Sequence, residues 1–197
     1  MNIHFFGVNI KVSFLFAAIL CLMIFTDRTG LILPSLIAVT IHEFAHLFFM
    51  KKFSCAPKEI ALIPGSIMIV NSVYCEKRKE NIILIAGPLS NIILFIVFYV
   101  IFLLTQKHIF LVHSATQLII GCFNLLPAKS LDGGALLYNM LTNKFSIEKS
   151  EILIKGISLI TAFVFLALGV LYIKNGETNF SLFILAIYIL IFTIIKN

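Results

Sequence analysis

Six long apolar runs divide this chain, and they constrain its fold more than any other feature of the sequence. A helix needs about 20 residues to cross the hydrocarbon core of a bilayer, which is about 30 Å thick. Of the 197 residues, 60% are apolar and only 12% are charged, which is too little charge for a surface in water. We therefore expect a membrane protein with six spans, near 8–26, 31–50, 81–104, 109–126, 152–173 and 179–195.

The basic residues are distributed unevenly between the two sides of these predicted spans. Twelve of the 15 Lys and Arg residues fall on one side, and three, Arg28, Lys107 and Lys174, fall on the other. Because cytoplasmic loops collect Lys and Arg, we expect a multi-pass cell-membrane protein with both termini in the cytoplasm. Orientation thus explains the net charge of +6, and we expect no nucleic-acid partner.

Two loops on the predicted cytoplasmic side are longer than simple turns. Residues 54–80 contain an apolar, β-branched stretch around Pro64-Gly65, which predicts a membrane-associated β-hairpin. The second loop, 127–150, follows a short apolar run that ends in Asn124 and Pro127, which predicts a helix that breaks inside the protein. The predicted fold class is an all-α polytopic membrane protein with six transmembrane helices, a β-hairpin after the second and a broken fourth helix.

The four cysteines form no C-x-x-C pair and no even framework. Cys21 and Cys122 lie in apolar runs, and Cys55 and Cys75 lie in a basic loop. We interpret all four as free thiols with no disulfide role.

The segment His42-Glu43-Phe44-Ala45-His46 reads H-E-x-x-H inside an apolar run. On a helix, positions i and i+4 lie on one face, so both imidazoles can bind one zinc ion. The glutamate beside the first histidine can act as a general base on water. An acid in a membrane helix costs about 2.5–3.5 kcal/mol, so polar residues that merely join helices are the weaker explanation.

A catalytic zinc ion needs three protein ligands and one open position. Asp132 differs from the other acids because it follows Pro127 and precedes Gly133 and Gly134, where proline ends a helix and glycine permits close backbone approach. A plain Asp-Gly-Gly turn is the alternative. Beside a metal motif that lacks a third ligand, we favour Asp132 as that ligand.

The two motifs together, H-E-x-x-H and N-x-x-P-x-x-x-L-D-G-G, resemble the site-2 protease family of intramembrane zinc metalloproteases. The likeness is greatest to the bacterial six-span group that includes the sporulation protease SpoIVFB, and it covers most of the chain. It implies one zinc ion per chain and an active site that opens to the cytoplasm. The residues to which it gives roles are His42, His46 and Asp132 as zinc ligands, Glu43 as catalytic base, and Asn124, Pro127 and Gly65 as substrate contacts.

The resemblance implies hydrolysis of peptide bonds within or near transmembrane segments of membrane-bound substrate proteins. The expected partners are a transmembrane or membrane-associated protein substrate, the lipid bilayer and a regulatory membrane protein. Two alternatives remain open, a membrane zinc transporter and a catalytically inactive binding module. The first would usually need more His, Asp and Glu residues along a path, and the second would normally have lost Glu43 or Asp132.

The same resemblance predicts one membrane-embedded peptidase domain over 1–197, with a core at 31–140, flanking helices at 8–26, 152–173 and 179–195, and no PDZ or CBS domain. For Gly87, Pro88 and Asn91 we favour a small-residue packing contact between helices. This chain departs from the family pattern at Ala45, Ser66 and Ser130.

Overall fold

The computed structural model describes residues 2–5, 8–56, 59–63, 66–70, 75–174 and 180–195. Within these residues the chain has four strands and seven helices. Two compact units, 1–121 and 122–197, divide the chain. In chain order the elements are β1 (Asn2–Phe5), β2 (Val8–Val12), α1 (Phe14–Thr26), α2 (Ile32–Lys52), β3 (Glu59–Ile63), β4 (Ser66–Val70), α3 (Lys77–Thr105), α4 (His108–Asn124), α5 (Asp132–Leu141), α6 (Ile147–Lys174) and α7 (Ser181–Ile195).

Three of the described helices, α2, α3 and α6, are long and apolar enough to cross a membrane. The shortest of them has 21 residues, and at a rise of 1.5 Å per residue it is about 31 Å long, close to the hydrocarbon thickness. These helices indicate a membrane protein. The 13 residues of α1 and the 15 of α7 span only about 20 and 23 Å.

The predicted fold class, an all-α protein with six transmembrane helices, a β-hairpin and a broken fourth helix, is wrong. Each of the six apolar runs contains a helix, but only three of the helices reach spanning length over the described residues. The predicted first span, 8–26, is divided, because its first five residues form β2 and only the remainder is helical. The strands also form a sheet of four, where an isolated hairpin had been expected.

The sheet has the order β1-β2-β3-β4. The pairs β1/β2 and β3/β4 are antiparallel, whereas β2/β3 is parallel, with Ile10 opposite Ile60. A parallel pair requires a long crossover connection, and here α1 and α2 supply it. The predicted turn at Pro64-Gly65 lies outside the described residues.

A disulfide joins Cys55 to Cys75 across a sequence separation of 20 residues, with their Cα atoms 5.5 Å apart. The interpretation of all four cysteines as free thiols is therefore wrong for this pair, whereas Cys21 and Cys122 are free. The spacing of the cysteines in the sequence could not show this pairing. The pairing depends on the end of α2 lying close to the start of α3.

Asp27 organises the turn that leads into α2. One carboxylate oxygen accepts hydrogen bonds from the Thr29 N–H and hydroxyl and from the Gly30 N–H, and the other accepts one from the Ile32 N–H. These hydrogen bonds lower the pKa of Asp27, and the largest effect comes from the Ile32 N–H, with that of the Thr29 hydroxyl next. Gly30 has φ +69°, a conformation that glycine adopts without steric cost. The start of the H-E-x-x-H helix is thereby defined.

The second unit has its own apolar core. Ala128 and Leu131, from the segment between α4 and α5, pack with Ala162 of α6 and Ile189 of α7. The Lys129 N–H also donates to the Ser158 hydroxyl at 2.9 Å, and the Lys129 ammonium pairs with Glu151 at 2.8 Å. The segment that leads to Asp132 is therefore held firmly against α6 and α7.

Candidate metal centre

His42 and His46 lie one helical turn apart on the same face of α2. Both side chains are buried, with 3% and 7% of their surface exposed, and their Nε2 atoms are 3.0 Å apart. The rings meet edge to face, with their centroids 4.7 Å apart. The i, i+4 spacing of the motif thus brings two imidazole nitrogens close together inside the first unit.

Helix α3 fixes the other nitrogen of each ring. His42 Nδ1 lies 2.7 Å from Asn91 Oδ1, and His46 Nδ1 lies 2.7 Å from the Ile83 carbonyl oxygen. A carbonyl oxygen can only accept, so His46 Nδ1 must donate. Asn91 is oriented in the same way, because its Nδ2 donates to the Ala38 carbonyl at 3.1 Å and its Oδ1 must then accept from His42.

These hydrogen bonds determine the tautomer of both rings. In a neutral imidazole one nitrogen carries hydrogen and the other carries a lone pair. With both Nδ1 atoms donating, the two Nε2 atoms face each other as lone pairs. Two lone pairs at 3.0 Å repel unless a cation lies beside them.

This donor set fits a zinc ion. Zinc binds histidine nitrogen at about 2.0–2.1 Å, so two nitrogens 3.0 Å apart can both reach one ion. Ligating histidines characteristically donate their other N–H to a carbonyl or a similar acceptor, which orients the ring and makes the ligand more basic. His42 and His46 have that arrangement.

Gly87 leaves room beside the two Nε2 atoms. A Cβ atom at position 87 would lie 2.7 Å from His42 Nε2 and closer still to His46 Nε2. Ile83, Gly87 and Asn91 follow one another at four-residue intervals and therefore share one face of α3. Opposite the two histidines, this face supplies the Ile83 carbonyl oxygen and Asn91 Oδ1 as hydrogen-bond acceptors. Gly87 leaves a space between them.

The second unit carries Asp132 as the first residue of α5, where it is half-buried. The preceding loop packs tightly against the start of this helix. A Cβ atom at Gly133 would collide with the backbone of Leu125 and Leu126, and one at Gly134 with the backbone of Ala128 and Lys129. The two glycines therefore bring the loop against α5, and an anion is favourable at a helix N-terminus.

Comparisons with known proteins give the same direction. No family model matches. A zinc metalloprotease of Methanocaldococcus jannaschii is 28% identical over 184 residues, which is 90% of this chain and 50% of that protein. Stage IV sporulation protein FB of Bacillus subtilis is 28% identical over 137 residues, 68% of this chain and 48% of that protein. A solved site-2 protease from M. jannaschii matches with a TM-score of 0.66 and 26% identity, over 96% of this chain and 92% of that one.

The comparisons support the resemblance to the site-2 protease family that the sequence motifs indicate. The sporulation protein, whose group the motifs resemble most, is among the matches. One of these relatives is named a zinc metalloprotease. This chain spans about half the length of the curated relatives that it matches.

The remaining residues for which the family resemblance predicts roles lie in different places. Glu43 follows His42 on α2 and is half-buried. Asn124 is the last residue of α4, and Pro127 lies in the segment that follows; both are half-buried. Gly65 lies outside the described residues.

Sequence reasoning missed the role of Asn91. The predicted packing contact of Gly87, Pro88 and Asn91 leaves out this hydrogen bond: Asn91 is fully buried, and its Oδ1 accepts from a histidine of the H-E-x-x-H motif. One signal was available, because an amide inside an apolar helix must find hydrogen-bond partners. Gly87 and Asn91 are also one turn apart, but the partner itself becomes visible only when α3 packs on α2.

Proposed function

We propose that this chain is an intramembrane zinc metalloprotease that hydrolyses peptide bonds within or near transmembrane segments of membrane-bound proteins. The observation that carries the proposal is the pair of buried imidazoles on a membrane-length helix, whose Nε2 atoms lie 3.0 Å apart. A pair of this kind can hold a metal ion, and Glu43 follows the first histidine in the sequence.

The proposed ligands are His42, His46 and Asp132, with one zinc ion per chain. The first two lie one turn apart on α2, with their Nε2 atoms 3.0 Å apart, and Asp132 would supply the anionic oxygen ligand that a catalytic zinc site often includes. A bound zinc ion supplies Lewis-acid chemistry, which polarises a carbonyl group and acidifies water. Asn91 and the Ile83 carbonyl would keep the two imidazoles aimed through their Nδ1 hydrogens.

Glu43 is proposed as the general acid and base. It would accept a proton from the attacking water and return it to the leaving amine, which is a role suited to a carboxylate. Asn124, Pro127 and Gly65 are proposed to contact substrate, and the whole chain is proposed to act as one peptidase domain. The active site is proposed to open to the cytoplasm, because basic residues collect at the joined ends of two membrane-length helices, the end of α2 (Lys51, Lys52) and the start of α3 (Lys77, Arg78, Lys79).

The variant Glu43→Gln tests this proposal. It keeps the shape of the side chain but cannot accept a proton, so it should retain zinc and lose cleavage by about 10²–10⁴-fold. Glu148→Gln, at an exposed acid in the first turn of α6, is the matched control and should cleave normally. Membrane proteins that co-purify with Glu43→Gln supply the substrate, which wild-type protein should then cut.

Near-normal cleavage by Glu43→Gln would refute the protease, and zinc flux in proteoliposomes without cleavage would favour a transporter.

A further inference from the structure

A second buried amide extends the hydrogen-bond chain behind His42. Gln117 of α4 has no exposed surface, and its Oε1 accepts from Asn91 Nδ2 at 2.5 Å. Both hydrogens of that Nδ2 therefore have acceptors, since the other is donated to the Ala38 carbonyl oxygen. The chain runs from α4 through α3 to the histidine on α2.

Helix α4 comes close enough to α3 for this contact because of Gly121. A Cβ atom there would lie 3.1 Å from Asn91 Cβ and 3.3 Å from the Pro88 carbonyl oxygen. Gln117 lies one turn before Gly121 on the same face of the helix. The close approach thus brings its side chain to the amide of Asn91.

The acceptors determine which way the Asn91 amide points. If this amide were reversed, its NH₂ group would face His42 Nδ1, which would then have to accept. The hydrogen of the neutral ring would move to Nε2, and the lone pair that faces His46 would be lost. Gln117 Oε1 and the Ala38 carbonyl both oppose that reversal, because each would then face an oxygen.

We propose that Gln117 is a positioning residue for metal binding, which acts through Asn91 to keep His42 in the tautomer that carries its hydrogen on Nδ1 and its lone pair on Nε2. The proposal rests on the proposed function, in which His42 Nε2 is a zinc ligand. Gln117 Nε2 is buried and has no partner among the described residues, and such a group disfavours folding. An apolar side chain of similar size would avoid that penalty, so the amide at this position is explained by its oxygen.

The test compares two variants at Gln117 with one control variant, each purified in detergent. Gln117→Met keeps the length of the side chain and removes the acceptor, whereas Gln117→Glu keeps an acceptor oxygen. Ser114→Ala is the matched control, since Ser114 is also buried on α4 but donates to the Phe95 carbonyl at 3.3 Å, away from the His42 chain. Zinc affinity is measured by competition with a chelator. The His42 tautomer is measured by ¹⁵N NMR on metal-free protein, with its signal assigned by its loss in His42→Gln.

Direct hydrogen-bond partners of metal ligands typically contribute 10–100-fold to affinity, so a residue one bond further out should contribute less. We expect Gln117→Met to weaken zinc binding by about 3–10-fold and to give a mixture of His42 tautomers. Gln117→Glu and Ser114→Ala should keep the wild-type tautomer and zinc affinity.

Three results would overturn the positioning role. These are wild-type behaviour of Gln117→Met, equal losses in Gln117→Met and Ser114→Ala, or failure of Gln117→Glu to keep the tautomer. The absence of zinc binding by wild-type protein would contradict the proposed function instead. The tautomer of the metal-free protein would still decide the role of Gln117.

Discussion

At the scale of single residues, Gly87 controls how much space lies beside the two imidazoles. In Gly87→Ala the added methyl group would lie 2.7 Å from His42 Nε2. It would therefore occupy space that a metal ion bound to this nitrogen needs. Moving the two buried rings away from the methyl group should cost about 1–3 kcal/mol of stability, and the preference of helices for alanine over glycine offsets about 1 kcal/mol of that cost. We expect the variant to lose most of its zinc, as measured by metal analysis after gel filtration.

Gly156→Ala is the control for this prediction. Gly156 also lies inside a long helix, α6, but a Cβ atom there would meet nothing within 4 Å. This variant should keep its zinc and gain up to about 1 kcal/mol of stability. Equal zinc content in the two variants would show that the metal does not lie beside Gly87.

The histidine pair could be predicted from sequence because its geometry is local. Two residues four apart on a helix share a face whatever surrounds them, so His42 and His46 were found from spacing alone. Asn91 could not be found in this way, since its contact with His42 spans 49 residues and depends on how α3 packs against α2.

At the scale of elements, hydropathy identifies the apolar segments of this chain but does not distinguish a helix from a strand within them. The predicted spans near 31–50, 81–104 and 152–173 correspond to the long helices α2, α3 and α6. The run at 8–26 begins with Val8-Asn9-Ile10-Lys11-Val12, which alternates apolar and polar residues and forms β2. That alternation is a strand pattern, and it was hidden by the apolar residues that follow.

The disulfide makes a prediction about the link between α2 and α3. Of the four cysteines, only Cys21 and Cys122 are free, so thiol titration of protein unfolded without reductant should give two thiols per chain. A variant with Cys21→Ser and Cys122→Ser should give none until it is reduced. Because the crosslink restricts the unfolded chain, its loss should cost about 3 kcal/mol of unfolding free energy. Four thiols in the wild type would contradict the pairing.

At the scale of the whole molecule, the orientation of α6 tests the proposed sidedness with a single helix. Lys144 precedes this helix and Lys174 is its last residue. Because cytoplasmic ends of spans collect Lys and Arg, the proposed sidedness would put the start of α6 in the cytoplasm. A reporter that fluoresces only in the cytoplasm should therefore be bright when fused after Lys144 and dark when fused after Lys174. The reverse pattern would place the start of α6 on the outer side.

The central claim is that the histidine pair on α2 holds a catalytic zinc ion. X-ray absorption at the zinc edge of the purified chain, combined with metal analysis, tests it most directly. We predict about one zinc ion per chain with two imidazole ligands and only nitrogen and oxygen at about 2.0–2.2 Å. Asp132→Asn should keep both imidazoles and lower zinc occupancy, because an anionic ligand is replaced by a weak neutral one. Sulfur ligands at about 2.3 Å, or a spectrum without imidazole, would contradict the claim.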